Sequence, residues 1–354
     1  TYPYGGPMKL INFLLLIFIL IAAGCSKDEV YSKNTGSDSN TSKTPGGDQG
    51  NSKKPGDNSD DNGSTTDPSN KAKSYVEKLS YQGPVKRPVD ILWVIDNSGS
   101  MRSEQKALAS NFSYFIENFS KENLDFKMAV TTTGTHKNAG KMLNNEADLT
   151  STTLRKDREA FIEAFKQSIK VSIDLEYEVE KGLLAAVQFL AKNKKFLRKD
   201  AHLNIVFVSD EDDQSSKTLQ ASAFVKYYQS YKSLKGLVKV FSIVNVRTKD
   251  PKNYIDESIG KRYIEASSMT SGLVSDIDEE FYKTLLKMNE KVLTLSESIP
   301  LTYRPLDVNS VQVYLDGKLL TNEYWEYDLS NNSIKLLGPA DKKGEVVIKY
   351  TYKK

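Results

Sequence analysis

Three oxygen-bearing side chains, Asp96, Ser98 and Ser100, stand at alternate positions where an apolar run ends. Val89-Asp-Ile-Leu-Trp-Val-Ile95 leads directly into Asp96-Asn-Ser98-Gly-Ser100. One carboxylate and two neutral oxygens make a poor catalytic set but a good partial shell for a hard divalent cation. Mg²⁺ demands octahedral oxygen ligation and is commonly held by one or two carboxylates plus waters. A second apolar run, residues 202–209, also ends in an acid, Asp210, followed by Glu211, Asp212 and Asp213. Both runs are short and rich in β-branched and aromatic residues, which predicts buried, parallel strands. Paired in one sheet, they place Asp96 and Asp210 on the edge where open α/β sheets hold their ligands.

The elements needed to build that sheet alternate along the chain. Leu108, Phe112, Phe115, Ile116 and Phe119 recur at helical spacing after the first strand. Phe126, Met128 and Val130 then alternate with polar neighbours and run out into Thr131-Thr132-Thr133, a strand end that could line the same edge. Helices are expected around Phe161 to Ile169, Val179 to Leu190, Leu219 to Leu234 (on the stripe Leu219, Ala223, Tyr227, Tyr231 and Leu234) and Glu279 to Val292, with a further strand at Val238 to Val244. Ile264 through Val274 reads as a short helix end and a glycine-containing turn. This alternation predicts a mainly parallel sheet covered on both faces. After Leu295 the pattern changes to short alternating strands, including Val311 to Leu315 followed by Asp316-Gly317, a hairpin signal.

Ahead of this lies a segment that cannot fold by itself. From Ser26 to about Ser74 nearly every residue is Ser, Asn, Asp, Gly, Lys, Thr or Pro, too little apolar surface for a core. As a coil it would span roughly 35–40 Å, a tether for a folded head. Asn58-x-Asp60-x-Asn62-Gly63 within it matches the start of a calcium loop, but Ser69 stands where the loop needs Glu, so it reads as solvated linker. Residues 1–7 precede Met8 as extraneous sequence, and Lys9 opens the apolar stretch Leu10 to Ala23. That stretch is shorter than the about 20 residues that cross a bilayer and suits the apolar part of an export signal. Ala22-Ala23-Gly24-Cys25 resembles the lipobox of bacterial lipoproteins, which implies lipidation of Cys25 and a membrane anchor there. Ser26, in place of Asp, implies the outer membrane. Cys25 is the only cysteine, so no disulfide is expected. The net charge of +3 and the absence of a Lys/Arg cluster give no argument for nucleic acid.

Asp96-x-Ser98-x-Ser100 with the later strand-end Asp210 resembles the metal-ion-dependent adhesion site of von Willebrand factor A domains. Residues 196–215, from Phe196-Leu-Arg-Lys-Asp through Val208-Ser-Asp-Glu-Asp-Asp-Gln-Ser, resemble more narrowly the A-domain lipoproteins of Gram-negative bacteria. The resemblance implies an α/β fold, a doubly wound, mainly parallel sheet flanked by helices (Rossmann-like), followed by a small all-β module. It divides the chain into a signal peptide (1–24), a lipidated linker (25–74), an A domain (75–295) and a β module (296–354). It implies metal binding by Asp96, Ser98, Ser100 and Asp210, with Mg²⁺ (or Mn²⁺ or Ca²⁺) as the ion. The implied activity is binding: an open coordination position accepts an exposed Asp or Glu of a protein partner. The family's Thr before a Gly-x-x-x-Ala helix has no counterpart in residues 174–180, where Glu178 or Glu180 offers a possible replacement ligand. Capping of a helix start is the other role open to those glutamates.

Catalysis finds little support. Aspartyl phosphatases also place Asp at a strand end, but their second acid is here Ser98. The two histidines are His136 and His202, and His202 opens a strand far from the ligand edge. No phosphate-binding or dinucleotide glycine motif is present. A Mg²⁺-dependent phosphohydrolase is therefore the weakest reading, and an envelope scaffold with a degenerate metal site is the principal alternative to adhesion. Glu211 to Asp213 read as a solvated acidic rim, Trp93 as core, and Arg102 as a candidate for positioning a partner carboxylate.

Overall fold

The computed structural model describes residues 72–83, 86–135, 140–170, 179–247 and 259–353. The chain divides into two units, Thr1–Asp67 and Pro68–Lys354, and all described residues belong to the second. Cys25 with its signal and linker, the Asn58 loop, His136 and Glu178 lie outside the described residues.

The strands, in chain order, are β1 (Lys73–Gln82), β2 (Val89–Ile95), β3 (Phe126–Thr132), β4 (His202–Ser209), β5 (Val238–Val244), β6 (Leu273–Asp276), β7 (Ile299–Pro300), β8 (Gln312–Leu315), β9 (Lys318–Leu319), β10 (Trp325–Asp328), β11 (Ser333–Leu336) and β12 (Lys343–Tyr352). The helices are α1 (Arg102–Lys121), α2 (Ser151–Lys156), α3 (Arg158–Ile169), α4 (Gly182–Lys192), α5 (Ala221–Gln229), α6 (Lys261–Met269) and α7 (Phe281–Ser296).

A five-stranded parallel sheet has the order β3-β2-β4-β5-β6. Strands β2, β4 and β5 are buried at every position, as runs covered on both faces must be. On one face α1, α3 and α7 close over Ile91, Trp93, Val206 and Phe241. Trp93 lies edge-on to Phe115 at 5.2 Å and to Phe165 at 5.3 Å, a core role. On the other face Phe207 of β4 meets Phe224 of α5 and stacks on Tyr263 of α6.

The expectation of a doubly wound sheet followed by a β module is corrected here. The antiparallel part is not an appendage behind the parallel sheet, because β1, which precedes that sheet in the chain, belongs to it. β1 pairs antiparallel with β12 from Lys73↔Tyr352 to Gln82↔Lys343. The α/β part is therefore inserted between the first and the later strands of an antiparallel assembly. That assembly contains a four-stranded sheet, β1-β12-β8-β9, and a three-stranded one, β10-β11-β7. The physical reason lies in the alternation of β1: Glu77 and Tyr81 turn inward between the exposed Val76, Lys78 and Ser80. Its inner face joins a core with Val313, Trp325, Ile334 and Ile348. The β8–β9 hairpin turns on Asp316 and Gly317, both at positive φ, as its Asp-Gly signal requires.

Two local expectations also shift. Helix α5 buries Ala221, Phe224, Val225 and Tyr228 rather than the stripe through Ala223 and Tyr227. Tyr231 of that stripe is exposed beyond the helix end. The stretch expected as a glycine turn contains β6, which pairs with β5 only from Phe241↔Leu273 to Val244↔Asp276.

One buried cation joins the two parts. Lys239 of β5 is buried, and its Nζ donates to the backbone oxygen of Asn331 in the β10–β11 loop at 3.0 Å. Burial first, then the charges of Lys291 and Arg304, push its pKa from the usual 10.5 down to about 7, against a small opposing effect of Asp328. The unfolded chain thus binds more protons between pH 7 and about 10.5, so stability should rise with pH across that window and carry the full cost of charging below it. Lys239→Met is expected to raise stability at pH 6 by about 1–4 kcal/mol and to flatten the rise. Urea denaturation at pH 6, 8 and 10 checks this, and an unchanged slope would refute it.

Candidate cation site

Parallel register sets the site. Ile95 pairs with Val208, and the Asp96 N–H donates to the Val208 carbonyl at 2.9 Å, so β2 and β4 release their chains side by side. The strand order reverses here, since β3 flanks β2 on one side and β4 on the other.

Asp96 is fully buried, and each carboxylate oxygen accepts a hydrogen bond. The Ser98 N–H donates to Oδ1 at 2.7 Å and the Ser209 hydroxyl to Oδ2 at 2.6 Å. Gln105 on α1 donates its Nε2 to the Asp96 carbonyl at 2.7 Å, tying the first helix to the loop. Burial raises the Asp96 pKa and the charge of Asp210 adds to this, while the bonds from Ser209 and Ser98 oppose it. The hydroxyls of Ser98 and Ser100 lie 2.9 Å apart on the outer side of the loop. Asp210 is held through its backbone oxygen, which accepts from Asn245 Nδ2 at 2.5 Å. Its carboxylate Oδ1 is buried without a hydrogen-bond partner.

Glu180 completes the group. It is only 3% exposed and accepts a hydrogen bond from the Thr133 hydroxyl. Burial pushes its pKa up to about 8, and the negative charges of Asp96, Glu211 and Asp210 add to the shift. Backbone bonds strap its segment in place: Lys181 N–H donates to the Thr133 carbonyl at 3.3 Å, and Gln214 N–H to the Glu180 carbonyl at 2.8 Å. The loops after β2, β3 and β4 and the approach to α4 therefore converge. Of the two glutamates expected near this loop, Glu180 stands beside Asp96 and Asp210, and Glu178 lies outside the described residues.

The acidic run after Asp210 is less of a rim than its sequence suggests. Asp213 is buried and caps α4 from outside that helix, accepting from Leu183 N–H at 2.9 Å, while its Oδ2 pairs with Arg262 at 2.8 Å. Ser215 Oγ accepts from Leu184 N–H at 3.1 Å. Arg262 also donates to the carbonyls of Asp213 and Ser215, at 3.1 and 2.7 Å, and to that of Leu219. Sequence spacing gave no signal for this clamp, because Arg262 stands on α6, far along the chain from the loop it holds. Arg102 is exposed on the first turn of α1, and His202 is buried at the opposite, amino-terminal end of β4.

Among the described residues no three His, Cys, Asp or Glu side chains form a metal cage by themselves. An ion here would need a mixed set, as Mg²⁺ tolerates: carboxylates of Asp96 and Asp210 with hydroxyls of Ser98 and Ser100, while Glu180 lies within electrostatic reach of both acids. The unpartnered Asp210 oxygen and the mutual repulsion of buried acids fit a hard cation. Bound there, such an ion would supply positive charge and open coordination positions.

No family profile matches the chain, and no curated protein matches it. Among solved structures, the pilus adhesin SpaC from Lactobacillus rhamnosus GG in its open conformation aligns with 82% of this chain at 12% identity and a TM-score of 0.40. A second form of the same adhesin aligns with 81% at 11% identity and a TM-score of 0.41. Proximal thread matrix protein 1 from the mussel byssus aligns with 62% at 10% identity and a TM-score of 0.39. The chain spans 43% of the adhesin's length and 50% of the matrix protein's. Likeness at this level is too low to carry fold or function across.

Proposed function

We propose that this chain is a cell-envelope lipoprotein of the von Willebrand factor A domain kind, anchored through Cys25 in the outer membrane. It binds protein partners through a divalent cation, Mg²⁺ or a substitute such as Mn²⁺ or Ca²⁺. Asp96, Ser98, Ser100 and Asp210 would hold the ion with Glu180 in support, and an Asp or Glu of the partner would complete its shell. The observation that carries the reading is the convergence of Asp96, Glu180 and Asp210 beside two hydroxyls, with one buried Asp210 oxygen unpartnered.

Capture of partners from envelope or target-cell extract, with Mg²⁺ or with chelator, tests this. Capture should depend on Mg²⁺ and fail for Asp96→Ala. Equal capture in both conditions, unchanged in the variant, would contradict it.

A further inference from the structure

At the amino-terminal end of the parallel strands, away from Asp96, a cavity of about 250 Å³ opens between β1, β11 and the end of α7. Tyr81, Arg87, Glu297, Ser298, Lys335 and Asp341 line it. Its acids are already engaged. Glu297 pairs with Lys86 at 3.2 Å and Lys335 at 3.6 Å, and Asp341 accepts the Tyr81 hydroxyl.

Arg87 is different. Among the described residues no carboxylate lies within ion-pair distance of its guanidinium, and its Nε is buried without a hydrogen-bond partner. Burial holds its pKa below the usual arginine value, against the opposing charge of Asp200, which lies beyond ion-pair distance. The wall behind it is also short of partners. His202 is fully buried on β4 beside the backbone of Ser298, which lines the cavity, and neither ring nitrogen makes a well-formed hydrogen bond. Arg87, Lys239 and Lys232 all place positive charge on His202. A cation at the end of α7 suits that helix's dipole. The dipole explains the presence of Arg87 but leaves its buried Nε unpaired, a costly state for a charged group.

We propose that this cavity binds a small organic anion, its carboxylate paired with the guanidinium of Arg87. A planar guanidinium matches a carboxylate with two parallel hydrogen bonds, which a lysine does not. The volume lies just below the roughly 300 Å³ at which drug-sized pockets begin, which selects a small ligand. The carboxylate belongs either to a free small acid or to a peptide's C-terminus. Neither source depends on the cation site.

The test titrates the full chain with sodium acetate, with N-acetyl-dialanine, and with its amide and sodium chloride as controls at equal ionic strength. The readout is the buried imidazole of His202, one of only two histidines in the chain, followed by NMR. A saturable shift with acetate assigns a free acid, and one with the acetylated dipeptide alone assigns a peptide terminus. Arg87→Gln should weaken binding by about 10-fold or more, and Asp96→Ala should leave it unchanged. No saturable response to either carboxylate, an equal response to the controls, or undiminished binding in Arg87→Gln would overturn the proposal. The wild-type titration against its controls decides even if the variant does not fold.

Discussion

Asp96→Ala should weaken Mg²⁺ binding by at least about 100-fold, since losing even an outer-shell partner of a metal ligand costs about 10–100-fold. The substitution removes the buried carboxylate around which the loop is built. It also strips the acceptor from the Ser98 N–H and the Ser209 hydroxyl. The cost of those two lost bonds is offset in part, because Asp96 and Asp210 no longer repel each other. Asp96→Asn separates the two effects: it keeps an acceptor and the side chain's shape while removing the charge. Both variants should retain the circular dichroism of the parent, and calorimetric Mg²⁺ titration should show the ion lost in both. Near-parental Mg²⁺ affinity in either would place the ion elsewhere.

Arg262→Leu should destabilise the protein by about 3–5 kcal/mol, the usual cost of leaving one member of a buried ion pair uncompensated. Asp213 is completely buried, and its pKa is raised by desolvation even with Arg262 beside it. Without the guanidinium, Asp213 must stay charged in a dry site or take up a proton. The carbonyls of Ser215 and Leu219 lose their donor as well. Arg262→Lys should recover only part of the loss, because an ammonium cannot serve several carbonyls and a carboxylate at once. In Asp213→Asn/Arg262→Leu the cost should fall below the sum of the single substitutions, a coupling that urea denaturation measures. The same loop carries Asp210 and, through Gln214, holds Glu180, so Mg²⁺ affinity should fall with Arg262→Leu too. A stability within about 0.5 kcal/mol of the parent, as for ordinary surface changes, would refute the clamp.

The parts of this arrangement that local sequence announces are those that local burial decides. Strands β2, β4 and β5 are continuous apolar runs because both of their faces are covered, and the acids at their ends are conspicuous for that reason. Strand β1 was illegible as part of the antiparallel sheet, since its ten-residue partner β12 lies at the far end of the chain and Lys78, Ser80 and Gln82 give it a polar look. Short β6 was hidden behind Gly272, whose missing Cβ lets the chain press against the Val240 backbone. The face of α5 was misassigned because tyrosines fit a buried stripe and a half-exposed one equally well. At the candidate site, Asp96, Ser98, Ser100 and Asp210 could be read from spacing, and Glu178 or Glu180 only through the family resemblance. Asp213 and Arg262 could not, because their meaning depends on α6 docking against the loop.

The account rests on an ion held by the oxygens around Asp96. Its most direct test is a count of ions bound. Full chain stripped with chelator would be titrated with Mn²⁺, followed by electron paramagnetic resonance, with Mg²⁺ as competitor. The account predicts saturable Mn²⁺ binding that Mg²⁺ displaces and that Asp96→Ala abolishes. No saturable binding by the parent, or equal binding by parent and variant, would contradict it.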